Sequence, residues 1–275
     1  MVVLTLLAGG AAPLAAQAAT RAAPAVTVVW APASSASIHP GVQTFTSGGQ
    51  CTANFIYTNG STVYIGQAAH CSGTGGNTAT NGCTSPSLPI NTPVTVNGAS
   101  KPGVMVYNSW LTMQANHETD PNTCQYNDLA LVQLDPADVA NVNPSVPHWG
   151  GPTALNITGL ALGDQVYSYG NSELRLGITQ LSPKTGISNG DQGNGWSHGT
   201  TLVTPGIPGD SGSALLDSSG RATGVLSTLG IGIPDLSTNN FGDLGRELAY
   251  ANNHGQPATL APGTEPFNGG QLPIG

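Results

Sequence analysis

Thr204-Pro205-Gly206-Ile207-Pro208-Gly209-Asp210-Ser211-Gly212-Ser213 is the stretch around which the rest of the chain can be read. An Asp-Ser pair with glycine on both sides suits a nucleophile on a tight turn. Glycine reaches backbone angles with φ > 0 and lets a substrate carbonyl approach the main chain closely. The N–H groups of Gly209 and Ser211 can then converge on one small space, an arrangement that stabilises an oxyanion forming on an attacked carbonyl. Alone, such a loop is only a turn, and the chain has 38 glycines to place in turns. A nucleophile also needs a base and a group to orient that base.

Composition narrows the field before those groups are sought. The chain has 275 residues, of which 7% are charged, against roughly 25% in ordinary soluble domains. Neutral polar residues and glycine take their place, which favours short strands and turns over long helices. Net charge is −8 and Lys plus Arg number 6, so a nucleic-acid partner, which requires clustered cations, is not expected. Residues 1–18 read as a signal peptide: an apolar run is followed by small residues and Ala16-Gln17-Ala18. Residues 19–40 read as a linker or short pro-segment, and no later run is long enough to anchor the chain in a membrane. The four cysteines fit an oxidising, extracellular setting. Cys51 with Cys71 and Cys83 with Cys124 is the preferred of three possible pairings. Without a Cys-x-x-Cys pair, no metal and no other cofactor is expected.

Along the chain, β-rich runs flank Asn59-Gly60, a dipeptide that tolerates hairpin turn angles. Strand-like pieces recur at 93–96, 103–107, 127–134, 165–169, 177–181, 200–204, 213–216 and 222–226. Helical spacing is visible only at Leu244, Leu248 and Ala251, and residues 256–275 read as a flexible tail. Many short strands with one terminal helix argue for an all-β fold of antiparallel barrels. The boundaries fall at 41–142 for an N-terminal barrel and 143–255 for a C-terminal barrel with the helix.

His70, Asp128 and Ser211 then stand in order, too far apart in sequence to meet except through folding. The imidazole takes the serine proton, and the carboxylate fixes the imidazole tautomer and stabilises the imidazolium. Ala68-Ala69-His70-Cys71, Asp128-Leu129-Ala130-Leu131 and Gly209-Asp210-Ser211-Gly212 resemble the three signatures of chymotrypsin-like serine proteases, small secreted bacterial members above all. The resemblance runs from about Val42 to Asn253. It implies two antiparallel six-stranded β-barrels with the active site between them, and a Cys51–Cys71 disulfide beside the histidine. It implies His70 as general base, Asp128 as its orienting carboxylate, Ser211 as nucleophile, and Gly209 and Ser211 as oxyanion-hole donors. Ser227 matches the family's serine near the catalytic aspartate, and with Thr228 and Leu229 would form a substrate-binding strand. The remaining histidines, His198 included, have no motif and read as surface or packing residues.

The chain also departs from the family. No Ile-Val-Gly-Gly-like start is present to pair with Asp210 after proteolysis, and among so few cations Arg175 is the candidate partner. Six residues before the serine stands Pro205, where relatives specific for basic side chains carry aspartate. Leu229 occupies a place usually held by glycine. A small or medium apolar side chain is therefore the expected preference. The reading is a secreted, monomeric, cofactor-free serine endopeptidase that acts on peptide or protein substrates through an acyl-enzyme. The alternatives are a latent or blocked binding module on the same fold and an esterase using the same three residues.

Overall fold

A computed structural model describes residues 28–47, 49–76, 79–230 and 238–271. The signal-peptide expectation (1–18) and the first part of the linker (19–27) lie outside the described residues. The remainder of that linker is folded onto the protein. Ile38 is wholly buried and bridges to Val142, and the Ala31 N–H donates to the Val142 carbonyl at 2.9 Å. Apolar side chains at Val28, Trp30 and Ile38 cover the N-terminal core, which removes their surface from water. Ordered structure therefore begins ahead of Val42.

The N-terminal half consists of β1 (Gln43–Thr46), β2 (Gly49–Thr52), β3 (Ile56–Asn59), β4 (Thr62–Ala68), β5 (Pro93–Val96) and β6 (Gly103–Asn108). Two short helices, α1 (Ser109–Ala115) and α2 (Pro121–Tyr126), lead into β7 (Leu129–Gln133). The C-terminal half holds β8 (Gln165–Tyr169), β9 (Pro183–Gln192), β10 (Ser197–Val203), β11 (Ala214–Asp217), β12 (Ala222–Leu229) and β13 (Thr238–Asp243). Helix α3 (Leu244–Asn253) and β14 (Thr259–Leu260) close the chain.

The C-terminal half is a closed six-stranded barrel, β10-β13-β12-β11-β8-β9. The N-terminal half forms an eight-stranded sheet, β14-β3-β4-β7-β6-β5-β1-β2, more strands than the six expected. One of the additions comes from the expected flexible tail. Leu260 pairs antiparallel with Tyr57, Ala258 and Ala261 are buried, and Gly263 and Asn268 donate N–H groups to Pro152 and Trp149 carbonyls. Those paired main-chain groups and buried alanines hold the described part of the tail against both halves.

Two further expectations are corrected. Residues 177–181 are not a strand: Thr179–Leu181 form a 3₁₀ turn, and β9 starts at Pro183. Proline, with φ already near the extended range and no N–H to give, suits the first position of a strand. Helices α1 and α2 were not expected from apolar spacing. Each is instead specified by its N-cap: Asn108 accepts from the N–H groups of Trp110 and Leu111, and Asp120 from that of Thr123, with Pro121 next.

One core joins the halves. Phe55, Tyr57, Leu129 and Leu131 from the N-terminal sheet pack with Trp149, Leu216, Val225, Leu244 and Leu248. Burying each such side chain contributes about 1.5–3 kcal/mol. The cleft between the sheets is thereby fixed where β4, β7, β12 and the loop before β11 approach one another.

Candidate active site

The antiparallel register of β4 and β7 pairs Ala68 with Leu129. This pairing sets the residues just beyond, His70 on a 3₁₀ turn (Ala69–Ser72) and Asp128 ahead of β7, side by side. The Ala69 N–H donates to the Asp128 carbonyl at 2.7 Å, and Asn108 Nδ2 donates to the Ala69 carbonyl at 3.0 Å. A Cys51–Cys71 disulfide ties the turn to β2, and Cys83–Cys124 ties the following loop to α2.

His70 Nδ1 lies 2.7 Å from Asp128 Oδ2, and the His70 backbone N–H donates to Oδ1 at 2.9 Å. Ser227, arriving on β12 from the other half, donates its hydroxyl to Oδ2 at 2.6 Å. A carboxylate only accepts, so Nδ1 carries the proton and Nε2 is the free base position. Burial pulls the imidazole pKa down, but the Asp128 charge and hydrogen bond outweigh it and hold His70 above 6.5. The Trp110 ring flanks the imidazole at 6.4 Å.

The serine loop is clamped to the N-terminal half. The Thr52 N–H donates to the Ser211 carbonyl at 2.8 Å, and the Gly212 N–H donates to Leu226 at 2.7 Å. Gly212 has φ +87°, and a Cβ there would lie 2.6 Å from the Thr52 carbonyl, so this close crossing needs glycine. Ser211 itself is half-buried, and its hydroxyl makes no hydrogen bond to His70 in this structure. Such contacts are commonly long before substrate arrives.

The orientation of two peptide groups follows from their carbonyls. The Pro208 carbonyl accepts from Ser172 Oγ at 2.6 Å, and the Asp210 carbonyl accepts from the Ser213 N–H at 3.0 Å and from its hydroxyl. In a planar trans peptide the N–H points opposite the C=O. The Gly209 and Ser211 N–H groups are thus turned the other way, and neither meets an acceptor among the described residues. The N–H groups of Asp210, Gly212 and Ser213 all have carbonyl partners. Gly209 adopts φ +95°, with its own carbonyl held by Gln50 Nε2 and Thr52 Oγ1.

Asp210 is wholly buried and needs compensation. Arg175 Nη2 lies 2.8 Å from Oδ2, as expected, and Lys184 Nζ joins it at 3.2 Å, a cation not anticipated from the sequence. Oδ1 accepts the Ser172 N–H and Oδ2 the Ile207 N–H. Burial, then the neighbouring Arg175 charge, lower Lys184 to about 8 against the pull of Asp210.

The expected substrate-binding residues lie in the serine loop and at the end of β12. Pro205 gives its carbonyl to Arg175 at 3.0 Å, and Thr228 Oγ1 accepts from Asn240 Nδ2 at 3.2 Å. Leu229 pairs with Asn239 and packs on the apolar interior of the C-terminal barrel. Two buried acid–base groups had no sequence signal. His198, read as a surface or packing residue, is wholly buried, with Nδ1 2.7 Å from Asp191 and Nε2 2.9 Å from Asp243. It does not reach the serine loop. Glu247 on α3 accepts the Asp128 N–H at 2.7 Å.

No protein-family model and no curated protein matches this sequence. Solved structures do share its fold. Thermobifida fusca Protease A superposes with a TM-score of 0.54 at 19% identity, covering 82% of this chain and 99% of its own. A glutamic-acid-specific serine protease, described as using a histidine triad in substrate binding, gives 0.52 at 18% identity over 82% of this chain and 100% of its own. Nocardiopsis Protease gives 0.50 at 18% identity, over 81% and 98%. The fold is that of bacterial chymotrypsin-like serine proteases. No described helix is long and apolar enough to cross a membrane.

Proposed function

We propose that the protein is a secreted serine endopeptidase in which Ser211 attacks the substrate carbonyl and forms an acyl-enzyme. The observation that carries this reading is the pair of N–H groups at Gly209 and Ser211 that meet no acceptor among the described residues, together with a His70–Asp128 pair that leaves Nε2 free. His70 takes the Ser211 proton as the bond to the carbonyl forms, then delivers it to the leaving amine. Asp128 and Ser227 hold the imidazolium, and the two N–H groups meet the oxyanion. Water then repeats the sequence to release the acid.

The substrate main chain has a place to lie. β11 pairs with β12 only as far as Val225, so among the described residues no strand lies along the same edge of Ser227–Leu229. A peptide can add there by main-chain hydrogen bonds. Pro205 stands where relatives specific for basic side chains carry aspartate, and Leu229 is itself apolar, which supports preference for a small or medium apolar residue. The two disulfides support an oxidising, extracellular location.

A fluorophosphonate probe tests the reading, with Ser211→Ala and heat-denatured protein as controls. The expected result is a stoichiometric adduct mapped to Ser211. Failure to label a folded, disulfide-bonded sample would refute it and leave a binding module on the same fold.

A further inference from the structure

Asp128 is held at every polar atom. Its carbonyl accepts from Ala69, Oδ1 from the His70 N–H, and Oδ2 from His70 Nδ1 and Ser227. All of these partners belong to the serine-protease-like motifs already described. The remaining bond does not: the Asp128 N–H donates to Oε1 of Glu247, 119 positions away on α3.

The slot for this carboxyl is built. Glu247 is wholly buried, and a Cβ at Gly242 would fall 2.3 Å from Oε1, so only glycine leaves the acid its room. The titratable groups around it are Tyr57 on β3, Tyr107 on β6, Asp128 ahead of β7, and Asp243 at the start of α3. Tyr250, one turn further along α3, also faces Tyr107. No Lys, Arg or His among the described residues forms an ion pair with Glu247. An ionised carboxylate there would lie beside Asp128 without a counter-charge, which is costly. Burial pushes the Glu247 acid well above the ordinary range; the Asp128 N–H bond opposes the shift, and the Asp128 and Asp243 charges add to it.

We infer that Glu247 is a positioning residue for Asp128: a neutral carboxylic acid whose carbonyl oxygen fixes the Asp128 backbone. It thereby sets the angle at which the Asp128 carboxylate holds His70. The inference rests on the proposed roles of His70, Asp128 and Ser211. A neutral acid performs this task where an ion would not. A second negative charge so close to Asp128 would over-stabilise the protonated imidazole and keep His70 from acting as a base near neutral pH.

The test uses the full chain and the rate of fluorophosphonate labelling as a function of pH, beside kcat and KM on a peptide ester. Wild-type labelling at Ser211 comes first. Its absence would sink the catalytic reading itself and is thereby distinguished from failure of this inference. Glu247→Gln keeps a neutral carbonyl acceptor. It should stay within about 3-fold of wild type with an unchanged acid limb. Glu247→Asp keeps the acid but draws the acceptor back by a methylene. It should lower kcat and labelling rate about 10- to 100-fold, with KM changed far less. Wild-type rates in folded Glu247→Asp would overturn the positioning role. An acid limb that moves down by more than about half a unit in Glu247→Gln would show that wild-type Glu247 is ionised, and would overturn the neutral acid. Glu247→Gln is close to isosteric and decides that second point even if the aspartate variant is too unstable to assay.

Discussion

Ser172 donates its hydroxyl to the Pro208 carbonyl at 2.6 Å, and this bond determines which way the Gly209 N–H faces. Ser172 is buried, and its backbone N–H separately holds Asp210 Oδ1 at 3.0 Å. Its hydroxyl also accepts the Leu174 N–H at 3.1 Å, capping the turn that carries Arg175. Removing it loses that cap along with the Pro208 bond, while the backbone anchor on Asp210 stays in place. With the carbonyl released, the Pro208–Gly209 peptide is free to rotate, and one of the two proposed oxyanion donors is lost part of the time. Complete loss of such a donor costs about 10²–10³ in kcat. Ser172→Ala should cost about 10-fold, with KM nearly unchanged and the melting temperature within a few degrees. Steady-state kinetics on a peptide ester would check it, and an unchanged kcat would show the peptide is held by other contacts.

If the protein works as proposed, the His70–Asp128 pair sets the acid limb of its activity. In the proposed mechanism neutral His70 is the base, and Asp128 holds its pKa above 6.5 despite burial. Activity should therefore rise with pH through a value above 6.5. In Asp128→Asn the charge is gone while burial remains, so the limb should fall below 6.5 and kcat should drop about 10⁴-fold. The linked stability has the sign of a raised histidine. It is fully present below the unfolded value of 6.5 and is lost as pH rises through the folded pKa. A pH–rate profile of the wild type with its midpoint well below 6.5 would contradict this.

These residues differ in how far the sequence announced them. His70, Asp128 and Ser211 each sit in a local motif of small residues or strand formers, so their order was readable at once. Arg175 was reachable by elimination, because only 6 Lys and Arg exist to meet Asp210. Lys184, His198 and Glu247 carry no local signature, since each is defined by a partner that only folding supplies. For Glu247 that partner is 119 positions away, and for His198 its Asp243 contact spans 45. Strand β9 escaped notice because Gly186, Asn189 and Gly190 interrupt its alternation. Helices α1 and α2 are too short for periodicity to show, and the structure shows that their caps at Asn108 and Asp120 specify them.

Lys184 makes the buried carboxylate site over-compensated, with two cations on one acid. Its pKa is lowered from 10.5 to about 8, so the unfolded chain binds the proton more tightly. Stability should therefore rise with pH between about 8 and 10.5, where the folded lysine is neutral and the unfolded one is not. Below about 8 the buried charge costs up to about 3 kcal/mol. Lys184→Met leaves the Arg175–Asp210 pair neutral overall. It should stabilise the protein at pH 7 by up to about 3 kcal/mol and abolish the alkaline rise. Urea unfolding at pH 7 and 9.5 would measure both, and a destabilised variant at pH 7 would mean that Lys184 contributes more through pairing than burial costs.

His198 poses the opposite case, a buried base between two acids. Its ring joins Asp191 on β9 to Asp243, which ends β13 and caps α3 by accepting the Arg246 N–H at 2.8 Å. Burial disfavours the charged ring, but the hydrogen bonds and charges of Asp243 and Asp191 prevail and hold the pKa above 6.5. The sign follows as for any histidine raised by its partners. The contribution is complete below the unfolded value of 6.5 and disappears as pH climbs through the folded pKa. Removing the ring leaves the buried Asp243 carboxylate without its partner, beside an Asp191 that is partly exposed. Breaking a buried pair in this way costs about 3–5 kcal/mol, less where one partner reaches water. His198→Leu should lose about 3 kcal/mol at pH 6 and progressively less at higher pH, where the wild type has already given up the interaction. Unfolding curves for the two proteins at pH 6 and pH 9 would show the gap narrowing; a gap independent of pH would mean that His198 acts by packing alone.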